Sequence, residues 1–394
     1  MKKLQTAAII LISWVTYALS FLIPRHEKIW VFIGWHRNSE RELFADNSKY
    51  LFLHVANNVP RIRPIWIGKD DKICAILENN GYEAYNIHSI RGIYYSLRAG
   101  YTFLDALMQL SNWRYSAGTK VIQLWHGKSP KKTGYNSPYS LRKYNKILYP
   151  NLFRSVFRFI AISQYLANFV VSDFRIRKKN ILITGLPRCD VLFGILKGSD
   201  IDTNPKLQKS IEIAKAQHSR KLILYAPTFR PDGSNPLFQL RLSRLNKFLA
   251  TKNYFFIGSL HPKFSTQDWI PKEIFSNISF VESGYDWYPQ LPNFDVLITD
   301  YSSLCIDFLI MDKPTIFFAY DLDTYKKEMG LYEDLWGLIP GPHAATFEEL
   351  LDALEGEDTD IWKQKRHEAQ KQLFAFRDGN ASERIVEYIQ RLHS

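Results

Sequence analysis

Two histidines follow predicted strands at positions where a side chain can reach a ligand. His126 comes after the apolar run Val121–Trp125, and His261 comes shortly after Tyr254–Gly258. The carboxyl ends of parallel strands border the ligand crevice, and a neutral imidazole can take a proton from a hydroxyl nucleophile. His126 is therefore a candidate general base, and His261 is a second histidine at a crevice edge. The plainer alternative is a loop histidine bonded to backbone.

Positive charge is concentrated around His126. Lys128, Lys131 and Lys132 follow it and could bind phosphate groups. Residues 114–188 hold fifteen lysines and arginines and one acid, Asp173, whereas the whole chain has a net charge of +12. Such a field attracts polyanions, which include nucleic acids, anionic lipid headgroups and phosphate-rich substrates. No zinc-finger or RNP-like motif is present, so nucleic acid is the least favoured partner.

Strand ends in the second half of the chain carry polar groups that suit a phosphate. These residues are Thr228, Arg230, Asp300, Ser302 and Ser303. A guanidinium grips phosphate bidentately and a hydroxyl can donate to it. Aspartate and serine commonly cap the N-terminus of a helix, where anions are favoured. We predict that these groups converge on one crevice, although Ser302 and Ser303 could instead serve only as helix caps.

Short apolar runs alternate with longer amphipathic stretches, a pattern typical of βα units. The predicted strands are Ile29–Ile33, Ile62–Ile67, Tyr101–Leu104, Val121–Trp125, Phe159–Ile162 and Ile181–Thr184, then Lys221–Tyr225, Tyr254–Gly258, Ile278–Val281, Asp295–Thr299 and Thr315–Ala319. The clearest predicted helices are Asn47–Asn57, Asp71–Asn80, Gln164–Phe174, Phe347–Leu354, Trp362–Ala375 and Ser382–His393. Residues 194–204 are a candidate linker. We therefore expect an α/β fold of two Rossmann-like domains, residues 25–195 and 205–394, facing a cleft.

Length and cysteine spacing fit this division. A chain of 394 residues exceeds one typical core and favours two domains. Cys74, Cys189 and Cys305 lie far apart and have no paired spacing. This arrangement argues against a disulfide framework or a zinc site and fits a reducing compartment.

Residues 1–24 form a mostly apolar N-terminal segment. Its apolar part, Leu4–Ile23, is close to the roughly 20 residues needed to span a bilayer. Interior polar residues and basic residues at both ends fit a helix that lies in the membrane interface at least as well. We expect a membrane-associating segment. A cleaved signal peptide and an ordinary buried first helix are the remaining alternatives.

Several of these blocks together resemble the CDP-glycerol glycerophosphotransferase family of teichoic-acid and capsule polymerases. The similar segments are LWHGKSPKKTG, YAPTFR, LHP, ITDYSSLCIDF, the pair Tyr320–Asp321, the PGP of Pro340–Pro342, WVFIGW, DNSKYLF and GLPRCD, which cover most of the chain. Lys128–Lys132 replaces the family's usual Thr-Pro-Leu-Lys-Lys. Leu260 stands where a basic residue is frequent, and Met329 stands where arginine is common.

The resemblance implies a GT-B fold with CDP-glycerol in the second domain and the acceptor against the first. His126 matches the family's proposed base and His261 matches a second essential histidine. The residues that match the donor-phosphate and nucleotide region are Thr228, Arg230, Asp300, Ser302 and Ser303.

The implied reaction is attack of a hydroxyl on the β-phosphorus of CDP-glycerol, with release of CMP. The acceptor would be lipid-linked or polymeric, no cofactor or essential metal would be required, and the protein would act at the anionic cytoplasmic face of the cell membrane. CDP-ribitol is an alternative donor. A GT-B glycosyltransferase that uses a nucleotide sugar, and a non-catalytic protein that binds membrane or polyanion, are the competing interpretations.

Overall fold

Two parallel sheets organise the chain. The computed structural model describes residues 2–34, 42–106, 113–138, 156–228, 230, 233–260, 275–282, 284–356 and 358–393, with side chains from Leu11 onward except that of Leu260. The first sheet contains β1 (His26–Ile33), β2 (Arg63–Gly68), β3 (Ala84–Asn86), β4 (Ala99–Leu104), β5 (Lys120–Gln123), β6 (Arg158–Ala161) and β7 (Ile181–Ile183). Its strand order is β3-β2-β1-β4-β5-β6-β7.

The second sheet has the same parallel construction. It contains β8 (Lys221–Tyr225), β9 (Tyr254–Leu260), β10 (Ile278–Glu282), β11 (Val296–Thr299), β12 (Thr315–Phe318) and β13 (His343–Ala344). Its strand order is β10-β9-β8-β11-β12-β13, which reverses direction between β8 and β11. Ligands bind at such reversal points in open parallel sheets.

Helices connect and cover the strands. They are α1 (Lys2–Ser20), α2 (Asp46–Asn58), α3 (Asp71–Asn79), α4 (Ile90–Arg98), α5 (Gln164–Phe174), α6 (Pro205–Ala216), α7 (Leu242–Lys252), α8 (Leu304–Leu309), α9 (Leu322–Met329), α10 (Glu333–Leu338), α11 (Phe347–Gly356), α12 (Asp360–Leu373) and α13 (Ala381–Arg391). Local sequence sets several of their ends. Asn204 accepts the N–H of Leu207 at 3.2 Å, and Pro205 occupies the first turn of α6, where its missing N–H is harmless.

The α/β class and the predicted strands are confirmed, with ends shifted by a few residues. The strand Lys221–Tyr225 and the helix Gln164–Phe174 have the predicted bounds. The sequence analysis missed β3 and β13, which have only three and two residues. The helices named from the sequence also do not include α4, α6, α7, α9 or α10. Edge strands this short carry too little periodicity to be distinguished from loops.

The two halves share buried surface. One apolar cluster includes Trp30 and Phe103 from the first sheet together with Leu224 and Phe317 from the second. Burying apolar side chains from both halves in one cluster stabilises their association. The halves are therefore held together by core packing as well as by the polar contacts described next.

Buried ion pairs also join the halves. Arg188 donates to Asp46 at 2.8 Å and to Asp307 of the second half at 2.5 Å. The ammonium of Lys49 lies 2.7 Å from the carboxylate of Asp286. Because buried ions are strongly destabilising when unpaired, these contacts favour one relative arrangement of the two sheets.

The last helix returns to the first half. Helix α13 packs on α2, and the carboxylate of Asp190 accepts the N–H groups of Ala381 and Ser382, each at 2.9 Å. The candidate linker is also fixed, since Asp202 accepts the N–H of Phe44 at 3.0 Å. The predicted domain boundaries stay a prediction, but the range 205–394 includes a helix that packs with the first half.

Candidate active site

The turn after β5 places His126 through an unusual backbone conformation. Trp125 has a φ of 53°, a region that bulky residues rarely occupy. The buried Gln123 side chain accepts the Trp125 N–H at 3.1 Å and donates to the Ala106 carbonyl at 2.9 Å. The Asn47 amide donates to the Trp125 carbonyl at 2.7 Å. These bonds hold a conformation that costs about 1–2 kcal/mol, as is common at functional sites.

The imidazole of His126 has a defined hydrogen-bond partner. Its ring stacks on Trp125 with centroids 4.2 Å apart, and its Nδ1 lies 3.1 Å from the main-chain carbonyl oxygen of Asp105. A carbonyl oxygen can only accept a hydrogen bond, so the proton is on Nδ1 and the basic lone pair is on Nε2. This is the tautomer that a general base requires.

Gly127 lies where the two halves meet. Its φ is +84°, and a Cβ built on it would collide with the guanidinium of Arg188 and lie 3.6 Å from the Cβ of Ser303. Only glycine fits this close approach. The carboxyl end of β5 therefore lies beside the carboxyl end of β11. His126 therefore immediately precedes Gly127, the residue that lies close to Ser303 in the predicted phosphate turn.

Lys128, which was predicted to bind phosphate, forms a buried ion pair. Its side chain is 5% exposed, and its ammonium lies 2.7 Å from the carboxylate of Asp173. The ammonium also donates to the Lys131 carbonyl at 3.0 Å. Burial lowers the pKa of Lys128, and Asp173 offsets only part of that effect. The one acid of the basic window thus holds this ammonium in the interior, and the predicted phosphate contact of Lys128 stays a prediction.

Lys131 and Lys132 remain partly exposed. Lys131 forms an antiparallel bridge with Leu331 of the second half, and the Lys132 N–H donates to the Gly330 carbonyl at 3.0 Å. The ammonium of Lys132 lies 5.8 Å from the ring centroid of Tyr332. The second half thus fixes the backbone of these lysines. Their role in phosphate or acceptor binding stays a prediction.

Asp300 organises the site at the end of β11. It is 1% exposed, and its carboxylate accepts the N–H of Thr228 at 2.9 Å, the N–H of Tyr301 at 2.6 Å and Nη1 of Arg230 at 2.8 Å. The Thr228 hydroxyl also donates to it. The structure therefore brings three predicted donor-site residues together at the point where the strand order reverses.

Arg230 is an internal part of this network. It is 2% exposed, and it forms ion pairs with Asp300 and with Asp321 after β12. Burial lowers its pKa, but the two carboxylates outweigh burial and the pKa lies above its ordinary value. Asp321 occupies the guanidinium fork, so Arg230 ties together the loops that follow β8, β11 and β12. The predicted bidentate grip on phosphate stays a prediction.

Ser302 and Ser303 precede α8, which has only six residues. Ser302 accepts the N–H of Leu304 at 3.3 Å, so it follows the helix-cap alternative. Ser303 makes no capping bond through its side chain to a described residue, and its Cβ faces Gly127. Both serines are partly exposed. Ser303 is therefore better placed than Ser302 to offer its hydroxyl to a ligand.

His261 follows β9, which ends at Leu260, and it lies outside the described residues. Its predicted role stays a prediction. Within the described parts of the chain, no group of three or more histidine, cysteine, aspartate and glutamate side chains is arranged to hold a metal ion.

Sequence reasoning missed several residues that shape the site. Asp105 holds the His126 tautomer through its main chain, and nothing in its sequence context indicates this role. Asp321 belongs to a quoted motif without an assigned role. Asp173 had a usable signal, because it is the single acid among fifteen basic residues. Tyr332, which binds Asp173 across the junction at 2.5 Å, had none.

The fold and site define an α/β protein in which Gly127, next to a histidine that follows one parallel sheet, lies close to a hydroxyl-bearing turn that follows the other. The sequence profile described as CDP-glycerol:poly(glycerophosphate) glycerophosphotransferase matches residues 16–391. The chain belongs to this family.

Named relatives include both glycerol- and ribitol-phosphate proteins. The teichoic acid ribitol-phosphate polymerase TarK of Staphylococcus aureus is 30% identical over 73% of this chain. The match spans only 56% of the length of that protein. The teichoic acid glycerol-phosphate primase of Bacillus subtilis is 27% identical over 78% of each chain. The structure of the wall teichoic acid polymerase TagF aligns with a TM-score of 0.74 at 23% identity, covering 99% of this chain and 96% of that one.

Proposed function

We propose that this protein is a polyol-phosphate transferase of teichoic-acid synthesis, which uses a CDP-activated polyol and releases CMP. The observation that carries the proposal is the close approach of Gly127, next to His126, to Ser303 across the two sheets. Membership of the glycerophosphotransferase family supports the reaction class. Relatives with glycerol phosphate and with ribitol phosphate in their names make CDP-glycerol and CDP-ribitol the two donors to compare.

The proposal includes a GT-B arrangement, with the donor on the second sheet and the acceptor on the first. The strand reversal between β8 and β11 supports this donor location. The alignment with TagF over 99% of the chain supports the arrangement of the fold. A structure of that polymerase after soaking with CDPG is among those that align.

In the proposed mechanism, the acceptor hydroxyl attacks the β-phosphorus of the CDP-polyol in line with the leaving CMP. A bond forms between the acceptor oxygen and this phosphorus, and the bond from phosphorus to the bridging oxygen breaks. Nε2 of His126 takes the hydroxyl proton. Phosphoryl transfer depends mainly on positioning and on stabilising charge on the oxygens. Ser303, Lys131 and Lys132 are partly exposed, and they are proposed to contribute to that stabilisation.

A donor screen tests this proposal. Purified protein is incubated with CDP-glycerol, CDP-ribitol or a UDP-sugar together with a teichoic-acid primer, and nucleotide release is measured. Release of CMP that depends on the acceptor is expected with one of the CDP-polyols. Release of UDP, with no CMP from either CDP-polyol, would favour a nucleotide-sugar glycosyltransferase and contradict the proposal.

The site is proposed to work at the cytoplasmic membrane surface, and α1 supports that location. Two of its polar residues, Ser13 and Ser20, face the protein and are 8% and 2% exposed. Its exposed apolar residues include Leu11, Val15 and Leu19, whose exposed fractions are 66%, 52% and 57%. This polarity is inverted relative to a helix facing water, and it suits contact with lipid.

Contacts on the inner side hold α1 in place. Trp14 packs on Trp113 with ring centroids 5.1 Å apart, and Arg25 donates to the Ser20 and Tyr115 carbonyls at 3.2 and 3.0 Å. In the part of the chain that the structure describes, no helix is both long and apolar enough to cross a membrane.

Vesicle co-sedimentation tests the membrane proposal. The double variant Val15→Asp/Leu19→Asp should lose binding to anionic vesicles, while Ile213→Asp, a single exposed apolar residue on α6, should bind normally. High salt should weaken binding of the wild type, because exposed charges are screened. Binding of the double variant at the wild-type level would show that α1 is not the contact surface.

A further inference from the structure

The only acidic residue of the basic window, Asp173, is completely buried at 0% exposure. Its carboxylate accepts four side-chain hydrogen bonds, from Lys128 at 2.7 Å, Thr133 at 2.6 Å, Asn136 at 3.1 Å and the hydroxyl of Tyr332 at 2.5 Å. Three of these donors come from the loop that follows His126. Asp173 is therefore the interior anchor of the lysine-containing loop, residues 128–136.

Tyr332 comes from the second half of the molecule. Its N–H donates to the Pro130 carbonyl at 2.8 Å, beside the Lys131–Leu331 bridge. Its ring lies 4.6 Å from the Lys128 ammonium and packs edge-to-face on Phe169 of α5 at 4.7 Å. Main-chain pairing, ring contact and hydroxyl thus all fix the loop to the second half.

The same cluster supports His126. Phe174, the neighbour of Asp173, packs on Trp125 with ring centroids 4.6 Å apart. Trp125 in turn stacks on His126. Gly134, with a φ of +56°, lies so close to the Asp173 carbonyl that a Cβ there would collide with it. The end of α5 therefore supports both the histidine and the loop that follows it.

Helix α9 connects this cluster to the donor network. Asp321, which is paired with Arg230, immediately precedes α9. Gly330–Tyr332, which contact the loop, immediately follow it. One short helix thus spans the distance between the network around Asp300 and the loop beside His126.

We propose that Asp173 and Tyr332 are positioning residues that hold His126 in register with the donor site across the junction of the two halves. This inference rests on the proposed transferase function, in which His126 removes the acceptor proton. Lys128 is the buried counter-ion of Asp173.

The test is Tyr332→Phe, which removes one hydroxyl and keeps the ring. Its matched control is Tyr85→Phe, whose hydroxyl also donates to a carboxylate, that of Glu83 at 2.8 Å, on the edge strand β3. We expect Tyr332→Phe to lower kcat by about 10- to 100-fold, the scale for a misplaced reacting group. The Kd for the CDP-polyol should stay near the wild-type value, and the thermal midpoint should fall by no more than the few degrees expected for the loss of one buried hydrogen bond. A purely structural role would lower the thermal midpoint and leave kcat of the folded enzyme unchanged.

A disulfide offers a rescue. Lys131 and Leu331 form a non-hydrogen-bonded antiparallel pair, since the flanking bonds are Lys132 to Gly330 and Tyr332 to Pro130. Such pairs have Cα atoms about 4.5 Å apart, within the range that a disulfide accepts. In Tyr332→Phe with Lys131→Cys and Leu331→Cys, oxidation should raise kcat above that of the same protein when reduced. No gain on oxidation, in a background where Lys131→Cys alone is still active, would contradict the proposal.

Hydrogen exchange gives a readout that does not require turnover. In Tyr332→Phe, the amides of residues 126–134 should exchange faster than in the wild type, and those of Tyr85→Phe should not. If both exchange and kcat match the wild type, the inference is wrong. Failure of the wild type to release CMP from any CDP-polyol would contradict the proposed function alone, because the exchange measurement would still decide the inference.

Discussion

Lys128, in the loop after β5, and Arg230, in the loop after β8, are both buried basic residues, but their charges are stabilised differently. Arg230 has two carboxylate partners, Asp300 and Asp321, both from the second half. Lys128 has one carboxylate partner, Asp173, which also accepts a hydrogen bond from Tyr332 of the opposite half. The donor-side network is thus complete within one half. The network beside His126 becomes complete only when the halves meet.

This difference follows from the chemistry of the two cations. A guanidinium presents a planar fork that two carboxylates can satisfy together, whereas an ammonium is a compact charge with three donors. Arg230 stays firmly protonated because the carboxylates outweigh burial. Burial lowers the pKa of Lys128. We therefore expect the donor side to be the more rigid region and the acceptor side to depend on the junction.

Removing the imidazole of His126 should have the largest effect on activity. His126→Ala should lower turnover by ~10²–10⁴-fold, the usual contribution of a positioned base. The Kd for the CDP-polyol should change little, because the donor network lies in the other half. Calorimetric binding and CMP release measure the two quantities.

The corresponding variant His261→Ala separates the two histidines. We expect it to impair donor binding as well as turnover. Loss of donor binding in His126→Ala, together with retention in His261→Ala, would reverse the assigned roles and show His261 to be the base.

Breaking the network around Arg230 should have the next largest effect. Arg230→Ala leaves the buried Asp300 and the partly exposed Asp321 without their cation, so the free energy of unfolding should fall by about 3–5 kcal/mol. Donor affinity should fall with it. The control is Arg63→Ala, whose side chain is 53% exposed in its pair with Glu83 and which should change stability by only about 0–1 kcal/mol. Urea unfolding measures both, and equal effects would contradict the structural role of Arg230.

Breaking the pair between Lys128 and Asp173 should lower stability less than Arg230→Ala does. Lys128→Met keeps the length of the side chain and removes its charge. It leaves one carboxylate without its cation, whereas Arg230→Ala leaves two, and Asp173 retains Thr133, Asn136 and Tyr332 as donors. The expected loss is about 1–3 kcal/mol, the range for a buried group deprived of one partner. Lys132→Met, at a partly exposed lysine of the same loop, is the control and should be nearly neutral. A loss larger than that of Arg230→Ala would overturn the comparison between the two sides.

The smallest expected effect is on the pH dependence of stability. Because the pKa of Lys128 is lowered from its ordinary 10.5, the unfolded chain binds more protons than the folded one between the lowered value and 10.5. The contribution of Lys128 to the free energy of unfolding should therefore rise with pH in that range. Arg230 should contribute nothing there. The difference between wild type and Lys128→Met, followed by urea unfolding from neutral pH to 10.5, should increase, and a flat difference would contradict the assignment.

Much of the fold was predictable because its signals are local. Apolar runs such as Lys221–Tyr225 and amphipathic stretches such as Gln164–Phe174 have the periodicity of their own element. The placement of His126, Asp300 and Ser303 at strand ends was predictable for the same reason. Edge strands of two or three residues, such as β3 and β13, were not.

The amino-acid sequence by itself determined the two series of βα units, the histidine and hydroxyl residues at their ends, and the concentration of positive charge. Only the tertiary structure decided which basic residues can meet a ligand. The type of a side chain specifies its charge, but pairing Lys128 with Asp173, or Arg230 with Asp321, requires residues far apart in the chain to be brought together by strand order. A buried charge is stable only beside such a partner. Lys128 and Arg230, two of the cations predicted to bind phosphate, are therefore ones that the fold uses to hold its own loops.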